Sequence, residues 1–196
     1  MLVSTYDAIF AQTGRFEGDY SDEPSDPGNW TGGKVGAGVL GGTKYGQSSK
    51  AYADNLAKLP ADIRATMPAT VKDLTLDQVK TIFRFVYWEP IHGDDLPPPL
   101  AMLVYDAAVN DGAERAIEWL QQAVGAHVDG VMGPETLKLT AQMIARQGGA
   151  AIAAEFLAQR LYWMTQLATW QTFGRGWSRR FAALPFAAMR FDKVAS

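Results

Sequence analysis

Thr75-Leu76-Asp77-Gln78-Val79-Lys80-Thr81-Ile82-Phe83-Arg84-Phe85-Val86-Tyr87-Trp88-Glu89-Pro90 is the stretch on which the fold class turns. Thr75 and Gln78 have the spacing of a capping box, in which a hydroxyl and an amide three residues apart each take up a backbone N–H at the start of the helix. Leu76, Val79, Ile82, Phe83 and Val86 then recur at steps of three and four, so one face of a helix is apolar. Pro90 ends the pattern, because its ring supplies no donor and collides with the preceding turn.

Helical periodicity continues on both sides. Pro97–Pro99 give the next helix a rigid start, and Leu100, Leu103, Val104 and Ala107 line its buried face. Further helices are predicted from about Ala113 to Val124, Pro134 to Arg146 and Ala150 to Thr172, with a last one from about Trp177 into the C-terminal tail. Towards the N-terminus, Ser48 or Ser49 caps a helix that runs to about Lys58, and a turn or short helix fills Pro60 to Pro68. Leu2, Val3, Tyr6, Ile9 and Phe10 form the stripe of a first helix, with Ser4 and Asp7 as its cap and Gly14 as its stop. Only residues 16–47 break the pattern. Gly, Pro, Asp and Ser crowd there without either period, which predicts a long functional loop with room for a small hairpin. No alternating strand is predicted outside residues 30–45, so the expected class is all-α with a loop-rich segment after the first helix.

Composition narrows the function. Of 196 residues 47% are hydrophobic, 11% aromatic and 20% charged, which excludes disorder and collagen, and the absence of cysteine excludes a disulfide scaffold. The net charge of -3 provides no global positive field for a nucleic acid backbone. That charge is uneven: residues 1–60 sum to -2 and 61–155 to -6, whereas 156–196 hold six basic residues against one acid. The N-terminal twenty residues lack a basic n-region and carry Asp7 inside their apolar stretch, so no secretory signal is read there and synthesis in the cytoplasm is expected. The low-charge stretch from Leu161 to Phe173 falls short of a bilayer span, so stable membrane insertion is not expected.

The loop after the first helix carries the chemistry. Glu17 sits at a predicted helix C-terminus, where the dipole disfavours a carboxylate, and it follows Phe16; both favour the neutral acid. A carboxyl kept partly protonated near neutral pH is what a glycosidase uses to protonate a leaving sugar oxygen. Asp19, Asp22, Glu23 and Asp26 offer second carboxylates, with Asp26 on a turn stiffened by Pro27-Gly28; the competing reading is that such acids are solvated turn formers. Tyr20, Trp30 and Tyr45 lie in this polar region, where aromatic faces suit the C–H faces of sugars, core filling being the alternative for Trp30 and Tyr45. Asp106 and Asn110 stand one turn apart on an otherwise apolar helix, capping the next helix or lining a cleft.

Two glycine patterns are decoys. Gly36-x-Gly38-x-x-Gly41 and Gly28-x-x-x-x-Gly33-Lys34 resemble phosphate-binding motifs, but no apolar strand precedes them and no helix opens directly behind. His92 and His127 are too far apart in sequence to suggest zinc, and the acid cluster misses calcium-loop spacing. No cofactor is expected.

Taken in order, Glu17-Gly18-x-Tyr20, Asp26-Pro27-Gly28, Thr43-x-Tyr45-Gly46, Tyr87-Trp88, Pro99-Leu100-Ala101, Asp106-Ala107-Ala108-Val109-Asn110-x-Gly112 and Asp129-Gly130-x-x-Gly133-Pro134-x-Thr136 resemble the glycoside hydrolase family 108 N-acetylmuramidases, together with the peptidoglycan-binding segment that usually accompanies them. The resemblance runs from about Ile9 to Trp177. It implies a lysozyme-like all-α fold that cleaves the β-1,4 bond between N-acetylmuramic acid and N-acetylglucosamine, as in phage endolysins, prophage proteins and secretion activators. Glu17 matches the family's catalytic glutamate, as general acid. Asp26 and Thr43 match the polar positions downstream of it, which manage water or charge. Thr31 keeps the shorter spacing to Asp26, but Thr43 keeps the Thr-x-Tyr-Gly motif and is preferred. Two features depart from the family pattern: Asp19 stands where a second glycine is usual, and the stretch from Asn29 to Gly42 is longer.

The resulting expectation is a catalytic half over residues 1–93 and a peptidoglycan-binding-like helical half over 94–196, packed as one compact unit. Glu17, Asp26 and Thr43 are the catalytic candidates, and Tyr20, Trp30, Tyr45 and Asn110 hold the glycan strand. The partner is peptidoglycan, with a holin or secretion system for export and the wall, in the periplasm or outside, as the place of action. Two alternatives remain open: a lytic transglycosylase using the same glutamate, and a non-catalytic wall-binding or secretion-accessory module.

Overall fold

The computed structural model describes residues 4–13 and 20–191. The all-α, lysozyme-like class expected from the sequence is the one observed: among the described residues helices dominate, and the sheet is a single two-stranded hairpin. The chain divides into two compact units, Asp7–Val86 and the remainder, Met1–Tyr6 with Tyr87–Ser196.

In the unit Asp7–Val86, α1 (Thr5–Thr13) contributes Ile9 and Phe10, and α4 (Leu76–Phe83) contributes Val79, Ile82 and Phe83; all five are buried. The Phe10 and Phe83 rings meet edge to face with centroids 5.9 Å apart. Each such side chain withdrawn from water stabilises the fold by about 1.5–3 kcal/mol. α4 starts where the capping box predicts: the Gln78 N–H donates to Thr75 Oγ1 at 3.2 Å and the Thr75 N–H donates to Gln78 Oε1 at 3.0 Å. It passes directly into a π-helical turn over Arg84–Trp88, and the helical run stops there, just before Pro90 as expected. Asp7, read as part of a cap, also pairs with Lys80 Nζ at 2.5 Å. α2 (Ser49–Leu56) takes Ser48 as its N-cap, and α3 (Ala61–Arg64) is the short helix foreseen between Pro60 and Pro68. The stop assigned to Gly14 lies outside the described residues.

The other unit is built around α5 (Pro98–Asp111), whose residues from Leu100 to Ala108 are all buried. α5 packs on α6 (Ala113–Val124), α8 (Gly149–Thr165) and α9 (Trp170–Ala188), and α7 (Pro134–Gln147) packs on α6 and α8. Tyr6, Trp88 and Tyr105 form an aromatic cluster with centroids 5.3–6.0 Å apart. Burial drives ionisation of the Tyr105 hydroxyl far above its usual range. The Asp129-Gly130 turn is organised by Gln121, which is fully buried. Its Oε1 accepts from the N–H groups of Asp129 and Gly130 at 3.0 Å each, and its Nε2 donates to Asp129 Oδ1 at 2.7 Å. The Gln121 amide therefore holds the Asp129 carboxyl below the ordinary carboxylate range.

The last two helices differ from expectation. The helix predicted from Ala150 to Thr172 stops at Thr165, and the next begins at Trp170 rather than Trp177. Between them the N–H groups of Gln166 and Leu167 donate to the carbonyls three residues back, at 3.0 and 3.1 Å, which tightens the turn and redirects the chain. Gly174 lies buried inside α9, where a Cβ would come within 2.8 Å of the Trp170 ring.

Candidate functional site

The long loop is an ordered scaffold over its described part, and backbone pairing ties it together at three levels. The Ser21 N–H donates to the Thr43 carbonyl at 2.9 Å and the Thr43 N–H to the Ser21 carbonyl at 2.7 Å. Trp30 bridges Leu40 in the same antiparallel sense. β1 (Thr43–Lys44) and β2 (Gln47–Ser48) then form a hairpin with Tyr45-Gly46 as its two-residue turn. Both turn residues have positive φ, 49° and 73°, the geometry of a type I′ turn. The Thr-x-Tyr-Gly motif is thus also a turn signal. The hairpin lies at the end of the predicted loop, at 43–48 rather than within 30–45.

Asp26 caps a short 3-10 turn over Pro27–Asn29, its Oδ1 accepting from the Gly28 N–H at 2.8 Å. Pro27 fixes φ at the first helical position, so the carboxylate is presented from a stiff turn. Directly behind it Asn29, 1% exposed, joins the segments. Its Nδ2 donates to the Glu23 carbonyl at 3.0 Å, its Oδ1 accepts from Thr43 Oγ1 at 2.6 Å, and its own carbonyl accepts from the Gly41 and Gly42 N–H groups. Asp26 and Thr43 therefore belong to one network through a residue that the sequence reading passed over. Thr31, the other threonine considered, accepts instead from the Val39 N–H at 3.0 Å and closes the Thr31–Val39 loop.

The aromatic candidates flank these residues along the chain. Trp30 is half-buried and its Nε1 donates to the Pro24 carbonyl at 2.9 Å. Lys72 Nζ stands 5.3 Å from the centroid of the Tyr20 ring and Lys44 Nζ the same distance from that of Tyr45, so both ring faces take up positive charge. Lys44 Nζ also donates to the Lys72 carbonyl at 2.7 Å, which links the two. Among the acids, Glu23 accepts from the Ser25 hydroxyl and N–H, and these bonds lower its pKa. Glu23 is held as a carboxylate within a local turn, which is the wrong protonation state for a proton donor.

Glu17, Gly18 and Asp19 lie outside the described residues. Tyr20, Asp26, Trp30, Thr43 and Tyr45 all belong to the unit Asp7–Val86, whereas Asn110 belongs to the other. There its Nδ2 donates to the Asp106 carbonyl one helical turn back at 2.6 Å. Asp106 itself is buried and ion-paired to Arg160, a role that the sequence reading did not assign it. No group of three or more His, Asp or Glu able to hold a metal ion occurs among the described residues.

Gly42 sets the approach of the scaffold's strands. Its φ is +79°, and a Cβ there would lie 2.5 Å from the Tyr20 ring and 2.6 Å from the Ser21 carbonyl oxygen. Gly42→Ala is expected to cost about 1–3 kcal/mol through backbone strain alone, with the clash added. Urea unfolding of the two proteins checks this, and the same change at open Gly133 serves as the mild control.

Comparison with known proteins gives a consistent picture. The family model described as glycosyl hydrolase 108 matches residues 10–112. Among solved structures, that of Brucella abortus SagA is similar, at 33% sequence identity and a TM-score of 0.70, over 96% of this chain and 96% of that one. No curated protein matches the chain.

Proposed function

Since the chain belongs to glycosyl hydrolase family 108, we propose that it is a peptidoglycan hydrolase of the lysozyme type, an N-acetylmuramidase with Glu17 as general acid. Family membership supports a glycoside hydrolase acting on peptidoglycan at the coarse level. The bond and the residue roles are the further step. The observation that carries it is the family match over residues 10–112, which spans Glu17, Tyr20, Asp26, Trp30, Thr43, Tyr45 and Asn110.

The chemistry is built on the scaffold. Cleavage of a glycosidic bond needs a proton on the leaving oxygen and help for the oxocarbenium-like centre left behind. Glu17 supplies the proton. In sequence it precedes by four residues Ser21, whose backbone pairs with that of Thr43. Asp26 supplies negative charge from a fixed turn, and Thr43 orients water. Tyr20, Trp30 and Tyr45 carry sugar faces, and the half over residues 94–196, with Asn110, adds contacts to the glycan strand. A substrate in the wall requires passage out of the cytoplasm, through a holin or a secretion system.

Digestion of purified sacculi followed by mass spectrometry tests the bond and the reaction together. Hydrolysis leaves a reducing muramic acid end. Anhydromuramic products alone would assign the chain to transglycosylation, because the muramyl 6-hydroxyl would then have replaced water. Intact glycan would leave it as a wall-binding module.

A further inference from the structure

The C-terminal segment is the basic part of the chain, since residues 156–196 carry six basic side chains and one acid. α9 contains Arg175, Arg179 and Arg180 and no acid. Arg180 is committed to the buried Asp106. Arg175, Arg179 and Arg190 are exposed and form no ion pair with any described residue. Three exposed guanidiniums without an ion pair among the described residues call for an anionic surface.

The same face is apolar between the charges. Gly174, Phe181, Leu184 and Ala188 turn α9 inwards, while steps of 4, 7 and 11 from Arg175 reach Arg179, Ala182 and Phe186 on the outward side. Phe186 is 72% exposed and Met189 68%. Beside them runs an open cleft of about 430 Å³ between α8 and α9, lined by Ala154, Leu157, Ala158 and Leu161 on one wall and Phe181 and Ala182 on the other, with Ser178 as its polar member. The acid on α8, Glu155, accepts from Gln159 Nε2 at 2.6 Å.

A soluble polyanion would neutralise the arginines and leave Phe186, Met189 and the cleft wet. An anionic lipid surface meets both demands, with phosphates at the level of the guanidiniums and acyl chains below them. No described helix is long and apolar enough to cross a membrane, so the contact is peripheral. We propose that the face formed by α8, α9 and the 3-10 turn Met189–Phe191 docks on an anionic phospholipid bilayer, with Arg175, Arg179 and Arg190 on headgroup phosphates and Phe186 and Met189 in the interface. This inference is independent of the residue roles assigned to the loop.

Co-sedimentation of the full chain with vesicles tests it. The protein is expected to pellet with an equimolar mixture of phosphatidylcholine and phosphatidylglycerol, to stay in solution with phosphatidylcholine alone, and to be released at about 1 M salt, where the screening length falls to about 3 Å. The double variant Arg175→Glu, Arg179→Glu is expected to lose at least about tenfold in partition. Phe186→Ser should lose severalfold, with helix content and melting temperature unchanged in both proteins because all three positions are exposed. Equal binding to both lipids, no binding to either, or full binding by the arginine variant would overturn the proposal. So would arginine variants that lose retention on lipid-free sacculi while vesicle binding is unaltered, which would move the face from lipid to wall polymer.

Discussion

Glu17→Gln is expected to slow the clearing of purified cell walls by about 10²–10⁴-fold, the usual contribution of a positioned general acid. Glutamine keeps the size and a carbonyl acceptor but has no acidic proton, so the sugar oxygen would have to leave as an alkoxide. The comparison that gives this weight is Asp26→Asn. The amide introduced there keeps an Oδ1 able to accept from the Gly28 N–H, so the turn over Pro27–Asn29 survives and only the charge is removed. A smaller loss there than at Glu17 fits a supporting carboxylate, and a loss as large would make the two a coupled pair. Thr43→Val serves as a third reference. It leaves the buried Asn29 Oδ1 without its hydroxyl donor, at a cost of about 1–3 kcal/mol, so reduced activity must be read with the unfolding midpoint beside it. Clearing that is equal for wild type and Glu17→Gln would remove Glu17 from its role.

The parts of this molecule that were legible in its sequence are those fixed by neighbours along the chain. The Thr75–Gln78 box closes within four residues, and both of its hydrogen bonds are present. Asp26-Pro27-Gly28 makes its own turn. The break between α8 and α9 was not legible, because Leu167, Ala168 and Thr169 all suit a helix and the turn depends on where the next helix packs. The start of α9 at Trp170 was hidden for the same reason: the small size of Gly174 answers to the Trp170 ring, a contact within the helix that composition treats only as a weak point. Within the loop Asn29 escaped notice, since its meaning lies in a hydroxyl fourteen residues away. The family pattern supplied the rest, by ordering short motifs that are individually weak.

Arg160→Met is expected to be the most destabilising single change in the helical unit, by about 3–5 kcal/mol, and composition alone would have counted Arg160 as one more solvated charge. The side chain is 2% exposed. Its Nη1 donates to Asp106 Oδ2 at 2.7 Å, and its Nε and Nη2 reach Asp111 Oδ2 at 2.8 and 2.7 Å. The guanidinium lies 5.1 Å from the centroid of the Phe181 ring, so one residue of α8 holds two acids of α5 and a ring of α9. Methionine fills much of the volume but leaves the buried Asp106 and the partly buried Asp111 with only the half-exposed Arg180 and the more distant charge of Arg115 to offset them. The pH dependence distinguishes this from lost packing. Burial already raises the Asp111 pKa more than Arg160 lowers it. A carboxyl whose folded pKa is raised stabilises the fold at pH values below its unfolded pKa, and that contribution is lost as the pH climbs through the folded one. Removing Arg160 raises the folded value further, so the deficit should be smallest near about pH 4, where the free acid would be half protonated, and reach full size by neutral pH. Urea unfolding at both pH values measures it, and a deficit of constant size would assign the loss to packing instead.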